Sequence, residues 1–185
     1  VNEKILTLPQ VLDGTEPGNT AAVRVDMERG TKFRYSGGGT TIAQLAIMDI
    51  EKKAYPQIAK ETVLGPLNMT NSTYSQPLPD DWRKKAASGH RGDGSTVAGK
   101  LHIYPEMAAA GLWTTPTDLA KFAIEVQLSY AGRTNKILSQ PMIEKMVTPF
   151  MEQVGLGFFI DKRGNSVYFG HDGGEEGFRA QLLLH

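Results

Sequence analysis

The sequence contains no cysteine among its 185 residues. This absence excludes disulfide bonds, cysteine-ligated zinc and thiol catalysis. The sequence also has no excess of charge of either sign, because 20 Lys and Arg balance 20 Asp and Glu. It therefore lacks the overall positive field that attracts nucleic acid or anionic lipid, and we predict no nucleic-acid partner.

A long hydrophobic run is also missing. No window approaches the roughly 18 consecutive apolar residues of a membrane-spanning helix, so we predict no membrane span. Val1 opens the chain without a Met or a signal-like leader, and His185 closes it inside what reads as a buried strand. We therefore expect residues 1–185 to form a single domain that is truncated.

Features that bind metals or phosphates are scarce. His90, Asp93 and His102 lie in a glycine-rich stretch, where a solvated surface loop is the more common interpretation. A phosphate-binding loop is excluded at residues 36–39, because two threonines follow the last glycine instead of a Lys-Ser or Lys-Thr pair. We predict no metal and no cofactor.

The sequence does contain the patterns of several helices. Residues 115–118 combine a cap hydroxyl, a proline at the first helical position and a carboxylate, which is the signature of a helix start. Residues 70–105 show little periodicity and are expected to form a long surface excursion, and residues 21–25 a short edge strand. Apolar spacing and proline positions predict helices over 40–53, 56–63, 116–130 and 141–147.

The last part of the chain changes to the pattern of strands. Segments 155–160, 166–170 and 177–184 are strand-like, and a turn and a glycine-rich break separate them. Connections this short predict antiparallel pairing. The sequence therefore predicts an α+β fold in which an antiparallel sheet is flanked by helices.

Tyr35 and Ser36 lie on a glycine-rich turn before a predicted helix. Such a turn presents backbone amides and a hydroxyl to a cleft. The pattern of a nucleophile elbow is absent, because Arg34 stands where a glycine is needed two residues before the serine. Ser36 is therefore interpreted first as a helix cap, and an independent nucleophilic Ser36 is a minor alternative.

A second candidate motif is His171-Asp172-Gly173-Gly174, between two predicted strands. A histidine at a strand end can donate or relay protons near neutral pH. Taken alone, this motif is more often a hairpin turn with a surface histidine.

Four segments occur together in one order: 35–37, 63–69, 110–119 and 170–173. As a set they resemble class C-type beta-lactamases and their esterase, D-Ala-D-Ala carboxypeptidase and D-aminopeptidase relatives in the penicillin-binding class. The resemblance extends from residue 5 onward. It implies a partial beta-lactamase or transpeptidase-like fold and a serine hydrolase that works through an acyl-enzyme.

The resemblance also implies roles for individual residues. Tyr35 matches the tyrosine motif of the family and becomes the candidate base. His171 and Gly173 match the KTG or HxG strand, so His171 is expected to place substrate or relay a proton, while Asp172 points away. Substrate and oxyanion contacts are expected from Ser36, Gly37, Gly173 and Gly174.

Two departures from the family pattern qualify this prediction. Gly37 stands where many members carry an asparagine that contacts the acyl side-chain amide, which weakens the case for true beta-lactamase activity. No Ser or Thr is followed three residues later by Lys, so the SxxK nucleophile pair is missing from the chain. By resemblance, that pair would lie before Val1.

We therefore predict part of a serine hydrolase that cleaves an ester, amide or peptide-like bond and is inactive alone. The alternative is a non-catalytic binding or sensor module that retains the substrate cleft. The expected partner is a small-molecule or peptide-like substrate, and the sequence does not indicate an oligomeric state. By resemblance, the protein is expected to be exported or periplasmic.

Overall fold

The computed structural model describes residues 5–185. The helices of the described residues all lie before residue 147, and the strands follow. Within the described residues, no helix is both long and apolar enough to cross a bilayer. The helices are α1 (Leu8–Asp13), α2 (Gly37–Glu51), α3 (Tyr55–Ala59), α4 (Asp80–Lys85), α5 (Met107–Ala110), α6 (Pro116–Tyr130) and α7 (Gln140–Met146), with a π-helical turn (Lys60–Leu64) after α3.

The strands β1 (Phe159–Arg163), β2 (Ser166–Glu175) and β3 (Phe178–Leu184) form an antiparallel sheet in the order β1-β2-β3. Ile160 pairs with Phe169, which pairs with Leu184, so these three side chains form one row across the sheet. That row packs against α6 and α7 through a buried cluster that also contains Val126, Ile143, Val147 and Phe158. The predicted antiparallel α+β architecture is therefore confirmed.

The predicted helix starts depend on side-chain caps that the structure contains. The Thr115 hydroxyl accepts a hydrogen bond from the backbone N–H of Asp118 at 3.2 Å, and Pro116 occupies the first turn of α6. Helix α2 begins at Gly37 rather than at Thr40. The reason is that Ser36 caps the three glycines, which extends the helix by one turn.

The predicted edge strand at residues 21–25 is wrong. This segment has no regular structure, and Val25 is 92% exposed. A strand needs a neighbouring strand to bond its backbone N–H and C=O groups. No strand of residues 5–185 pairs with this segment. Helix α1 precedes it instead, with Thr7 and Gln10 forming a capping box.

The strand boundaries also differ from the prediction. The first strand begins at Phe159 rather than at 155, because Gly157 adopts a left-handed φ of 81° that interrupts an extended chain. Strand β2 continues through the predicted glycine-rich break to Glu175, where it pairs with Phe178. Backbone pairing with β3 keeps the glycines extended, although glycine alone disfavours a strand.

Residues 70–105 are not only a surface excursion. Leu78, Val97 and Leu101 are buried there, with exposures of 4%, 2% and 6%. Helix α4 lies within the segment, and a bridge joins Thr73 to Trp113. The lack of periodicity misled the prediction, because single apolar anchors separated by turns have no regular spacing.

A buried carboxylate fixes the start of α6 to the rest of the helical layer. Asp118 is fully buried and accepts hydrogen bonds from the Asn71 N–H at 2.7 Å and the Ser72 hydroxyl at 2.9 Å, while the Lys121 ammonium lies 2.7 Å away. Burial alone would raise the pKa of Asp118. The Lys121 charge and the two hydrogen bonds outweigh it and hold this pKa below its ordinary value.

Replacing Asp118 by Ala leaves these donors without their acceptor, so we expect the free energy of unfolding to fall by about 2–4 kcal/mol. The matched control Asp81→Ala removes an exposed carboxylate 3.3 Å from Lys84 and should change it by less than about 0.5 kcal/mol. Urea denaturation measures both. Because the pKa of Asp118 is lowered, its electrostatic contribution should be complete above pH 3.8 and lost as the pH falls through the lowered pKa.

Candidate active site

The first predicted motif stands at the start of helix α2. Ser36 has an extended backbone, with φ −148° and ψ 106°, and its Oγ accepts a hydrogen bond from the Gly39 N–H at 3.0 Å. Its hydroxyl is therefore the helix cap, as one interpretation of the sequence predicted. Tyr35 immediately precedes the cap, and its side chain is 63% exposed, so the phenol is accessible to a substrate.

The second motif lies on strand β2, beyond the end of its pairing with β1. The last β1–β2 pair is Phe159 with Gly170, whereas the β2–β3 pairing continues to Glu175. Among residues 5–185, segment 171–175 therefore has a strand neighbour on one edge only. An unpaired strand edge offers backbone N–H and C=O groups to an extended ligand.

Aromatic contacts bring the two motifs together. The Tyr35 and His171 rings have their centroids 5.8 Å apart, and Phe159 contacts both, at 6.4 Å from Tyr35 and 5.4 Å from His171. Phe33 adds an edge-on contact to Phe159 at 6.1 Å. Aromatic pairs of this kind contribute about 0.5–1.5 kcal/mol each. Phe159 thus holds the tyrosine beside the histidine.

The imidazole of His171 has a defined hydrogen bond. Its Nδ1 lies 2.6 Å from the backbone oxygen of Asp172. A carbonyl oxygen only accepts, so Nδ1 carries the proton and donates. In the neutral ring, Nε2 is then the nitrogen with a lone pair available for a substrate or a proton.

The glycines of strand β2 differ in how much space a side chain would have. A Cβ at Gly170 would lie 2.0 Å from the Leu182 carbonyl oxygen, so no side chain fits there without moving β3. At Gly173 the nearest atom would be the Ala180 Cβ at 3.5 Å, and at Gly174 the Arg179 guanidinium at 3.6 Å. Packing therefore tolerates a side chain at 173 and 174. Because both residues are glycine, no side chain covers their backbone, which stays open to a ligand.

Gly37 has open space around it, since a Cβ there would meet no atom within 4 Å. The missing asparagine is thus not excluded by packing. Asp172 is exposed and accepts a hydrogen bond from the Gln181 amide at 3.2 Å, across the β2–β3 pair. Its carboxylate is engaged with β3 and not with Tyr35.

Glu175, a partly buried carboxyl, directly follows Gly174. Burial raises the pKa of the Glu175 carboxyl, and the neighbouring Glu106 carboxylate raises it further, against the opposing effects of Tyr104 and Arg179. Within residues 5–185, His, Asp and Glu side chains form no group of three that could hold a metal ion. The described site therefore consists of a phenol, an imidazole and an open strand edge.

The predicted cleft is an open surface in this chain. Tyr35 is largely exposed, and a depression of about 450 Å³ lies along β2 and β3 without reaching Tyr35. The structure thus brings Tyr35 and His171, one residue of each motif, into contact, and the catalytic roles of the predicted residues remain predictions. The depression is lined by Asp172, Gly173, Arg179, Ala180 and Gln181.

A family model described as Beta-lactamase matches residues 17–184. The chain belongs to this beta-lactamase family. No protein of curated function matches the chain by sequence. The family resemblance inferred from the ordered motifs is thereby confirmed.

Solved structures share the fold of this beta-lactamase-family chain at low sequence identity. The penicillin-binding protein from Bacillus halodurans aligns with a TM-score of 0.74 and 18% identity, over 96% of this chain and 54% of its own. The D-amino acid amidase from Ochrobactrum anthropi SV3, complexed with D-phenylalanine, gives 0.65 and 21%, over 97% and 54%. A class C beta-lactamase gives 0.68 and 18%, over 88% and 52%. The chain therefore spans about half the length of these structures.

Sequence reasoning missed the aromatic side chains that join the two motifs. Neither Phe33 nor Phe159 carries a chemical signature, so the sequence assigns them no role in the site. A contact between residues so far apart in sequence has no local signal. Both lie near the candidate motifs, Phe33 two residues before Tyr35 in the sequence and Phe159 through its pairing with Gly170.

The cap role of Ser36 can be tested by stability. Ser36→Ala removes the acceptor for the Gly39 N–H, so we expect the free energy of unfolding to fall by about 1 kcal/mol. Ser36→Asp keeps an oxygen acceptor and adds a negative charge at the helix N-terminus. Its free energy of unfolding should stay within about 0.3 kcal/mol of that of the original protein. Chemical denaturation of the two variants decides the point. Equal stability of Ser36→Ala and the original protein would contradict the cap.

Proposed function

We propose that this chain supplies the tyrosine and histidine side of a serine hydrolase active site. The observation that carries the proposal is the 5.8 Å contact between the Tyr35 and His171 rings, beside an unpaired strand edge at 171–175. Family membership supports a hydrolase of the serine type. The substrate class proposed is an ester, amide or peptide-like bond of a small molecule.

In the proposed reaction, a serine from an SxxK pair outside this chain attacks the substrate carbonyl. Tyr35 acts as the base, assisted by the lysine of that pair, and takes the serine proton as the new C–O bond forms. The carbonyl oxygen becomes an oxyanion, which the Gly174 N–H stabilises together with an amide at the nucleophile. Collapse breaks the bond to the leaving group, which receives the proton from Tyr35. Water then hydrolyses the acyl-enzyme by the reverse of these proton transfers.

His171 is proposed to place the substrate rather than to attack it. Its Nδ1 is held by the Asp172 carbonyl, which leaves Nε2 directed to other partners. A ring fixed in this way can accept or donate one hydrogen bond at a defined position. Gly37, which lacks the amide of asparagine, makes a beta-lactam a less suitable substrate than a simple ester or a peptide-like amide.

A second candidate function is a non-catalytic binding or sensor module that keeps this surface. The absence of any Ser-x-x-Lys or Thr-x-x-Lys in the chain favours it. An SxxK pair in the complete gene product would favour the hydrolase, and its absence there would favour the module. Turnover by Ser36 itself is disfavoured because its hydroxyl caps α2. Labelling of Ser36 by a fluorophosphonate probe would revive that alternative.

We further propose export to the bacterial envelope, which rests on the family resemblance alone. Periplasmic and cytoplasmic fractionation of the native host, followed by immunodetection, tests this location.

The activity prediction compares four proteins: this chain, the complete gene product, and its Tyr35→Phe and His171→Ala variants. Catalytic groups that act as a unit lose most of their rate when the nucleophile is missing, so the chain alone should hydrolyse neither nitrophenyl esters nor chromogenic beta-lactams above background. The complete product should hydrolyse at least a small activated ester. Tyr35→Phe should lower acylation by about two to four orders of magnitude, and His171→Ala by less.

Stopped-flow and steady-state assays with matched enzyme concentrations measure these rates. Tyr35→Phe removes one hydroxyl and keeps the ring contacts with Phe159 and His171, which makes it its own structural control. Robust turnover by the chain alone, or unchanged acylation in Tyr35→Phe, would overturn the mechanism.

A further inference from the structure

The strand that carries the second motif has little support from the sheet itself. Beyond Gly170, β2 pairs only with β3, and within the described residues β3 has no further strand on its other side. The hairpin of β2 and β3 therefore projects as a two-stranded arm that ends in a turn at Glu176 and Gly177. Isolated two-stranded hairpins are only marginally stable in water. Something else must fix the end of this arm.

Residues 89–104, named the clasp here, contact that turn. The His90 N–H donates to the Gly177 carbonyl at 2.9 Å, and the Arg91 guanidinium lies 2.7 Å from the Glu176 carboxylate. The Glu176 N–H donates to the Tyr104 hydroxyl at 3.2 Å. Glu176 is thus held through its side chain and its backbone, two residues after Gly174.

Close packing excludes side chains where the clasp meets the turn. Gly177 has a left-handed φ of 79°, and a Cβ there would lie 2.7 Å from the Gly89 backbone. A Cβ on Gly89 would in turn lie 2.9 Å from Val97 and 3.0 Å from the Phe178 ring. Val97 is 2% exposed, so apolar burial anchors the clasp beneath the turn.

The clasp is itself a closed loop. The Gly89 N–H donates to the Lys100 carbonyl at 2.9 Å, and the Val97 N–H donates to the Gly89 carbonyl at 2.8 Å. Phe178, at the start of β3, also makes an edge-on contact with Trp113 at 5.6 Å. The clasp therefore contacts the turn directly, and Trp113, in the segment before α6, contacts Phe178 next to it.

We propose that the clasp positions the 174–176 backbone, and that Tyr104 is its positioning residue. The proposal rests on the proposed function, in which the Gly174 N–H binds the oxyanion. Donors in an oxyanion site must be preorganised to lower the barrier, and a turn that rotates freely would not meet this requirement. The Tyr104 hydroxyl accepts a hydrogen bond from the N–H of Glu176, which lies two residues after Gly174.

The state of the Tyr104 hydroxyl agrees with this role. Burial raises its pKa, so the phenol stays protonated at neutral pH. It can accept from the Glu176 N–H while its own proton is available to the adjacent Glu175 carboxylate. Loss of the hydroxyl removes both interactions without changing the ring.

The first measurement concerns the backbone and does not depend on activity. In the complete gene product, Tyr104→Phe should increase amide hydrogen exchange at Glu176, whose N–H loses its acceptor, by about tenfold or more, with the melting temperature changed by no more than about 2 °C. The matched control Tyr130→Phe, on a half-exposed ring at the end of α6, should leave exchange there unchanged. Unchanged exchange in Tyr104→Phe would overturn the clasp.

The second measurement separates an effect on the position of the oxyanion donor, seen in kcat, from an effect on substrate binding, seen in KM. Tyr104→Phe should lower kcat by about 5–10-fold, as expected for one hydrogen bond, with KM within about twofold. Arg91→Gln, which also loosens the turn, should act in the same direction. Arg163→Gln removes a guanidinium 2.6 Å from Asp161 at the far end of the sheet and should have no effect.

These outcomes distinguish the two proposals. A complete product without hydrolase activity would refute the proposed function, while the exchange data alone would still decide whether the clasp holds the turn. Faster exchange with an unchanged kcat would show that the clasp holds the turn without positioning the oxyanion donor, and would overturn the role of Tyr104. If Tyr104→Phe does not fold, Arg91→Gln and Arg163→Gln provide the same comparison.

Discussion

The pairing of β2 with β3 is the interaction on which most of this structure depends. At one end it places Phe169 opposite Leu184, which together build the core against α6 and α7. At the other end it extends four consecutive residues, 171–174, that would otherwise form a glycine-rich turn. The same backbone ladder thus supports both the core and the candidate site. Loss of register by one residue would turn the core side chains outward and move His171 away from Tyr35.

Local chemistry explains which parts of the fold could be predicted from the sequence. Helix α6 has its cap, proline and acidic residue in adjacent positions, and its predicted bounds 116–130 agree with the structure. Helix α1, in contrast, follows a capping box formed by Thr7 and Gln10 that was overlooked among turn residues. The extension of β2 to Glu175 depends on a partner strand, and such long-range pairing leaves no mark on the sequence of the strand itself.

The candidate site was predictable only in part for a similar reason. The ordered motifs indicated Tyr35 and His171, and the structure places their rings in contact. Phe159 connects them and the clasp supports the nearby turn, and neither has a pattern that sequence spacing would reveal. Family membership covers residues 17–184, yet the chain spans about half of the related solved structures.

The tight contact at Gly170 has an evolutionary consequence. A side chain there would collide with the backbone of β3 at Leu182, so natural variation at this position is confined to glycine unless β3 shifts with it. The next position carries no such restriction, because His171 is half-buried at an open strand edge. Packing therefore allows another polar side chain at 171 while Gly170 keeps β2 in register with β3. This arrangement separates the residue that builds the sheet, Gly170, from the residue whose side chain meets solvent and Tyr35, His171.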